Sequence, residues 1–278
     1  MDHLHLHDVG KEAKLLMALS KQAEAVALLK EAIGAADDQE KNLPLRLILI
    51  SIYRYFNEWN DAHAVFNEIE DLSLLDNEWL LSSAFCAYWA KDYADAELRY
   101  LAAAERQPDD YKVWAMLGNI HVGMGEYGLG CEEFFRGCDV SGDSRECLLS
   151  AAGLLATCID DNVRNGEEAL RLIQGEKSSL QPGWILSALK AAIYAELGKY
   201  SDAIEYGVGA CLTAPPWERE TRRQRLEKLI ERNPIRLSGT DYRHDLRRAV
   251  EHALRHNESE MTTINFEHRT DGRNNLES

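Results

Sequence analysis

The chain has 278 residues, 45% of them hydrophobic, and a formal net charge of -16. That length can bury a large core in one extended domain or two compact ones. No apolar run approaches the roughly 18 residues that a membrane helix needs, and the acidic balance argues against nucleic acid as the main partner.

The opening, MDHLHLHDVG, lacks the basic and apolar regions of a signal peptide, so the expected compartment is the cytoplasm. His3, His5 and His7 alternate there and read as a frayed start. The first helical pattern is AEAVALLKEA (23–32), with Ala25, Leu29 and Ala32 on one face. ILISIYRYFNEW (48–59) carries Ile50 and Tyr53 and runs into NEWNDAHAVFNEI (57–69). A helix with Ala84 and Ala87 precedes KDYADAELRYLAA (91–103). WAMLGNIH (114–121), with Leu117, Gly118 and His121, precedes GEYGLGCEEFFRG (125–137). ALKAAIYAELGKY (188–200) leads into GKYSDAIEYGVGACLTAP (198–215). Strand signals are scarce.

Three of these second segments are in phase. Trp59, Tyr93 and Tyr127 are 34 residues apart, as are Ala62, Ala96 and Gly130, and as are Phe66, Tyr100 and Phe134. This pattern resembles the tetratricopeptide repeat (TPR), a helical hairpin of 34 residues. The resemblance implies an all-α fold: a right-handed superhelical solenoid of about six TPR-like helical hairpins plus C-terminal capping helices. Units fall at about 6–40, 43–76, 77–110, 111–144, 145–180 and 184–216. The fifth lacks the aromatics and carries an insertion near DDNVRNG. The expected domains are 1–216 for the repeats, 217–256 for a basic helical cap and 257–278 for a polar tail.

The charge follows that division. Residues 1–216 hold 18 basic and 35 acidic side chains, 217–255 hold 11 and 7, and 256–278 hold 2 and 5. ERETRRQRLEKLIER (218–232) reads as a capping helix with Leu226, Leu229 and Ile230 as its apolar stripe. NPIRLSG reads as a turn, and Thr240 or Asp241 as the cap of a further helix to about His256. The alternating arginines and glutamates suit a solvated helix, or one docked on an acidic surface, better than a nucleic-acid platform. His252 and His256, four apart, have only Asp245 as a candidate third ligand, so no metal site is expected. The six cysteines form no C-x-x-C pair and are expected as reduced, packed thiols.

GMGEYGLG (123–130) contains G-x-G-x-x-G at Gly123, Gly125 and Gly128, with Asp143 about 20 residues on, where a ribose-binding acid would fall. A dinucleotide loop needs a preceding strand, and WAMLGNIHV reads as a helix. The repeat phase instead puts Gly125 in a turn between helices and Gly118, Gly130 and Gly137 where helices approach closely. No cofactor and no catalytic set is expected.

The resemblance also implies that helix A of each unit lines a concave groove that receives a partner protein or peptide segment. Arg54, Tyr55, Phe85, Tyr88, Trp89, Lys112 and Asn119 are the candidate contacts. Some TPR proteins clamp a C-terminal carboxylate of heat-shock chaperones with Lys and Asn, and only Lys112 and Asn119 match that clamp. An apolar groove is closer to TPR secretion chaperones and assembly factors. The expectation is a non-enzymatic adaptor or chaperone. The alternative is a regulatory TPR protein whose basic C-terminal helix contacts nucleic acid or an acidic partner. Self-association stays open.

Overall fold

The computed structural model describes residues 3–35, 39–141, 145–174, 183–245 and 248. These form α1 (His3–Ala18), α2 (Gln22–Gly34), α3 (Gln39–Tyr55), α4 (Trp59–Asn67), α5 (Asn77–Trp89), α6 (Tyr93–Arg106), α7 (Tyr111–Met124), α8 (Tyr127–Ser141), α9 (Arg145–Thr157), α10 (Gly166–Gln174), α11 (Trp184–Glu196), α12 (Tyr200–Thr213) and α13 (Pro216–Ile230). A single 3-10 turn, Leu72–Leu74, precedes α5, and residues 239–245 are again helical. There is no strand among the described residues, and no helix there is long and apolar enough to cross a membrane. Consecutive helices pair as antiparallel hairpins and stack into a helical repeat solenoid, with α13 packed on α12.

The 34-residue phase is visible in the backbone. The second helices α4, α6 and α8 begin at Trp59, Tyr93 and Tyr127. Asp76 and Asp110 cap the first helices of units three and four, accepting from the Trp79 and Lys112 N–H groups. The turns inside the hairpins of units two to four each use one residue in the left-handed region: Asn57 (φ 59°), Lys91 (φ 69°) and Gly125 (φ 89°). The next N–H then bonds back across the helix end, Glu58 to Tyr53 O, Asp92 to Ala87 O and Glu126 to His121 O, at 2.8–3.0 Å. This is the Schellman closure of a helix. Gly125 therefore ends α7, and the glycine run is part of a hairpin.

Gly125 and Gly128 should respond oppositely to alanine. Gly128 lies in α8 with open space where a Cβ would project, so Gly128→Ala should stabilise by up to about 1 kcal/mol through helix propensity. Gly125→Ala should cost roughly 1–2 kcal/mol because of its positive φ. Urea midpoints of the two variants check the pair, and a phosphate-cradling loop predicts no such split.

Among the described residues the core falls into one large cluster from Leu6 to Ile120 and two smaller ones, around α8 and α9 and from α9 to α13. Phe66, Tyr100 and Phe134 point inward from the second helices and are buried. Gly118 accommodates Phe134, since a Cβ there would lie 2.6 Å from the ring. A Cβ at Gly130 would lie 2.5 Å from the Val122 side chain and 3.0 Å from the Gly118 carbonyl, and Gly137 faces Cys147 of the next unit.

Three expectations need correction. The chain is helical from His3, so His3, His5 and His7 belong to α1 and not to a frayed start. In the cap, Leu229 is buried and Leu226 faces Gly207, but Ile230 is 59% exposed. The helix after NPIRLSG starts earlier than expected, and Ser238 is its cap. Asp241 accepts from the Ser238 N–H at 2.8 Å, and the Ser238 hydroxyl faces the Asp241 N–H at 3.4 Å, a reciprocal capping box. The serine contacts hold the Asp241 carboxyl below its ordinary range. Asp143, His252, His256 and the tail 257–278 lie outside the described residues.

Candidate functional site: the inner groove

First helices contact one another where α1 meets α3, α7 meets α9 and α9 meets α11, the relation expected of helices that line the inner side of a TPR-like stack. Their last turns present equivalent pairs one repeat apart: Arg54 and Tyr55, Tyr88 and Trp89, Val122 and Gly123, Ala156 and Thr157. In the sixth unit Ala195 and Glu196 end the first helix in the same way.

The candidate contacts divide into two groups. Arg54, Tyr55 and Lys112 are exposed, and Phe85 and Asn119 are half-buried. Tyr55 is 50% exposed and stands edge-on to Phe56 at 5.0 Å. Tyr88 and Trp89 are buried. Their rings lie 5.5 Å apart, and Phe85 lies 5.9 Å from Trp89. Trp59, from the turn of the preceding unit, joins Phe85 at 5.5 Å and Trp89 at 6.3 Å. Tyr93 closes on Tyr88 at 5.5 Å. The structure thus brings Phe85, Tyr88 and Trp89 together with two aromatics that begin second helices. Burial raises the Tyr88 phenol well above its ordinary range.

The groove over units three to six is occupied by the chain itself. After α13, Arg232 turns through φ 57° and Asn233–Pro234 leads an extended stretch back along the first-helix ends. Arg236 pairs with Glu196 at 2.7 Å. The Leu237 N–H donates to Thr157 O at 2.8 Å, and the Ile159 N–H donates to Leu237 O at 3.2 Å, an isolated parallel bridge beside Cys158. The Gly239 N–H donates to the Tyr127 hydroxyl at 3.0 Å. The Tyr242 hydroxyl meets Thr157 Oγ1 at 2.5 Å. Both hydroxyls also reach Gly153 O, Thr157 at 2.8 Å and Tyr242 at 3.4 Å. Arg243 donates to Gly123 O and lies over the Tyr93 ring, 5.0 Å from its centroid. The space at Gly123 that the repeat pattern leaves in the groove is filled by the Arg243 stem.

Beneath this segment, α9, α11 and α13 enclose a mainly apolar cavity of about 370 Å³, walled by Leu149, Ile185, Leu189, Leu226, Leu229 and Ile235. Its charged edge is Glu218, which is buried and contacts Arg222 at 2.6 Å and Arg248 at 2.9 Å. Asp245 joins Arg225 and Arg248. Burial, and then the Arg225 charge, push the Arg222 guanidinium below its ordinary range. Arg222 also covers the Trp184 ring at 4.9 Å. Much of the basic character of the cap is therefore used within the chain.

The described cysteines are free thiols, with Cys86, Cys147 and Cys158 buried. Burial pushes the Cys86 thiol up to about 12 and the Cys131 thiol to about 11, the reverse of an activated nucleophile.

A stack of helical hairpins with a 34-residue phase, a left-handed residue at the inner turns of all units but the fifth, and first helices in mutual contact defines a TPR-like solenoid. Among solved structures, the chain is similar to a tetratricopeptide repeat protein from Parabacteroides merdae, with a TM-score of 0.64 and 18% sequence identity over 94% of each chain. No family model and no curated protein matches the sequence.

Proposed function

We propose that this protein is a non-enzymatic interaction module that holds a partner protein segment in its inner groove, as an adaptor or chaperone. The observation that carries this reading is the contrast between two parts of the groove. Over units three to six, an extended segment lies across successive first-helix ends. In unit two and on the earlier turns of α5 and α7, Leu47, Leu81, Phe85 and Asn119 are half-buried and Arg54, Tyr55 and Lys112 are exposed, where none of the segment contacts described above reaches. Apolar anchors with a polar rim are the composition that binds a peptide segment. Lys112 and Asn119 lie on one helix, α7, and Arg54 and Tyr55 end α3.

The alternative, a basic C-terminal helix offered to nucleic acid or an acidic partner, draws less support from the geometry. Arg222, Arg225, Arg236 and Arg248 all face carboxylates of the chain.

The test is a triple variant of the exposed positions, Arg54→Ala, Tyr55→Ala and Lys112→Ala. Its far-UV spectrum should be unchanged, and its affinity for a partner captured by the wild-type chain should fall at least tenfold. Unchanged affinity in a calorimetric titration would remove the reading.

A further inference from the structure

We propose that residues 233–245 are a built-in ligand of the groove, and that the groove over units three to six receives a partner segment of the same chemistry when this segment lifts. The inference deepens the groove reading and rests on it.

Four features make the segment a ligand and not a seventh repeat. It runs against the direction of the solenoid, from Glu196 in unit six, through Thr157 and Cys158 in unit five and Gly123 in unit four, to Tyr93 in unit three. Its contacts repeat with the units it crosses, as those of a peptide laid over a repeat array must. They are carried largely by main-chain groups, side-chain hydroxyls and arginines, and Ile235 is its buried aliphatic anchor. Open clefts also flank it, one of about 370 Å³ at its start and one of about 380 Å³ lined by Tyr88, Trp89, Tyr93, Thr240, Arg243 and His244.

The register defines what a competitor must carry. Two aliphatic residues flank an arginine that meets Glu196. A small residue two positions after the second aliphatic must pass the end of α7. A tyrosine three further on reaches Thr157, and the next residue is an arginine that covers Tyr93 and bonds Gly123 O. In this chain the pattern reads Ile235, Arg236, Leu237, Gly239, Tyr242 and Arg243.

Gly239 is the point of leverage. A Cβ there would press into the Val122 carbonyl and lie 2.8 Å from the Gly123 carbonyl, both helix backbone that cannot yield. Gly239 has no positive φ, so a larger residue is excluded by the groove and not by its own conformation. Gly239→Val in the full chain should release the segment and leave the hairpins folded.

The measurement uses a fluorescent peptide of residues 233–245, titrated into the full-length wild type and into Gly239→Val. The variant should bind it at least tenfold more tightly, because its groove is open. Equal affinity, or no binding to either chain, would overturn the proposal. Amide exchange on the wild type gives a second measure that is independent of the variant's folding. The Ile159 and Leu237 amides should exchange at least tenfold faster than those in the middle of α7, and equal protection would overturn the proposal. A wild-type dimer in sedimentation, with the segment seated in the other copy, would overturn the intramolecular arrangement. The probe is the chain's own peptide, so its failure would leave the result for Arg54, Tyr55 and Lys112 standing, and the reverse also holds.

Discussion

Glu218→Ala is expected to destabilise the C-terminal end of the solenoid by about 3–5 kcal/mol, the cost of breaking a buried ion pair by removing one partner. Glu218 is 3% exposed at its side chain, and Arg222 only 10%. Glu218 is held between two guanidiniums, of Arg222 and Arg248, at 2.6 and 2.9 Å. Without the carboxylate, the Arg222 charge stays under the cap with the Trp184 ring and the weaker field of the Asp245 carboxylate to face it. A pair wholly replaced by apolar residues is often neutral, so the loss comes from the stranded charge and not from missing attraction. Trp184 and Trp217, 6.0 Å apart and edge-to-face, report on this end of the molecule. A urea titration followed by tryptophan fluorescence should show the drop. A change under 1 kcal/mol would mean that Arg222 has another partner or reaches water.

The second large effect concerns Trp89. Its position in the repeat suggests a groove contact, but it is 9% exposed and touches Trp59, Phe85 and Tyr88. Trp89→Ala should therefore cost about 3–5 kcal/mol, as large aromatic truncations in cores do. Tyr55→Ala, at the equivalent place one unit earlier and half exposed, should stay within about 0.5 kcal/mol. Thermal unfolding by circular dichroism separates the two. A partner-binding deficit in a Trp89 variant would have to be read against that loss of stability, which is why the exposed trio is the better probe of the groove.

Much of the solenoid is legible in the sequence because its physics is local and repeated. Each hairpin needs an aromatic to start the second helix, a small residue where the helices approach, and an aromatic to fill the gap. Trp59, Ala62 and Phe66 recur as Tyr93, Ala96 and Tyr100 for that reason. The inner turn is legible at Gly125 and hidden at Asn57 and Lys91, where residues that pay a conformational penalty adopt the same left-handed geometry. The burial of Tyr88 and Trp89 was not legible. It depends on Trp59 reaching across from the neighbouring unit and on Arg243, 150 residues downstream of Tyr93, lying over the cluster's edge. The return of the C-terminal segment left one local trace, the S-x-x-D capping box at Ser238 and Asp241. Its destination in the groove is set by complementarity between distant residues, which no period reveals.

A stack of repeats ordinarily behaves as a linear array, in which each unit feels its neighbours and the ends unravel first. The hydrogen bonds from Gly239 to Tyr127 and from Arg243 to Gly123 span 112 and 120 positions of the chain. Both partners lie in unit four, so these bonds close the last three units of that array into a ring. Contacts so remote in sequence raise the loop-closure cost that must be met before they form, and so slow the final step of folding. Once made, they bind the fraying end to the middle of the molecule, so units four to six should melt as one cooperative block, separate from the units that share the first core cluster.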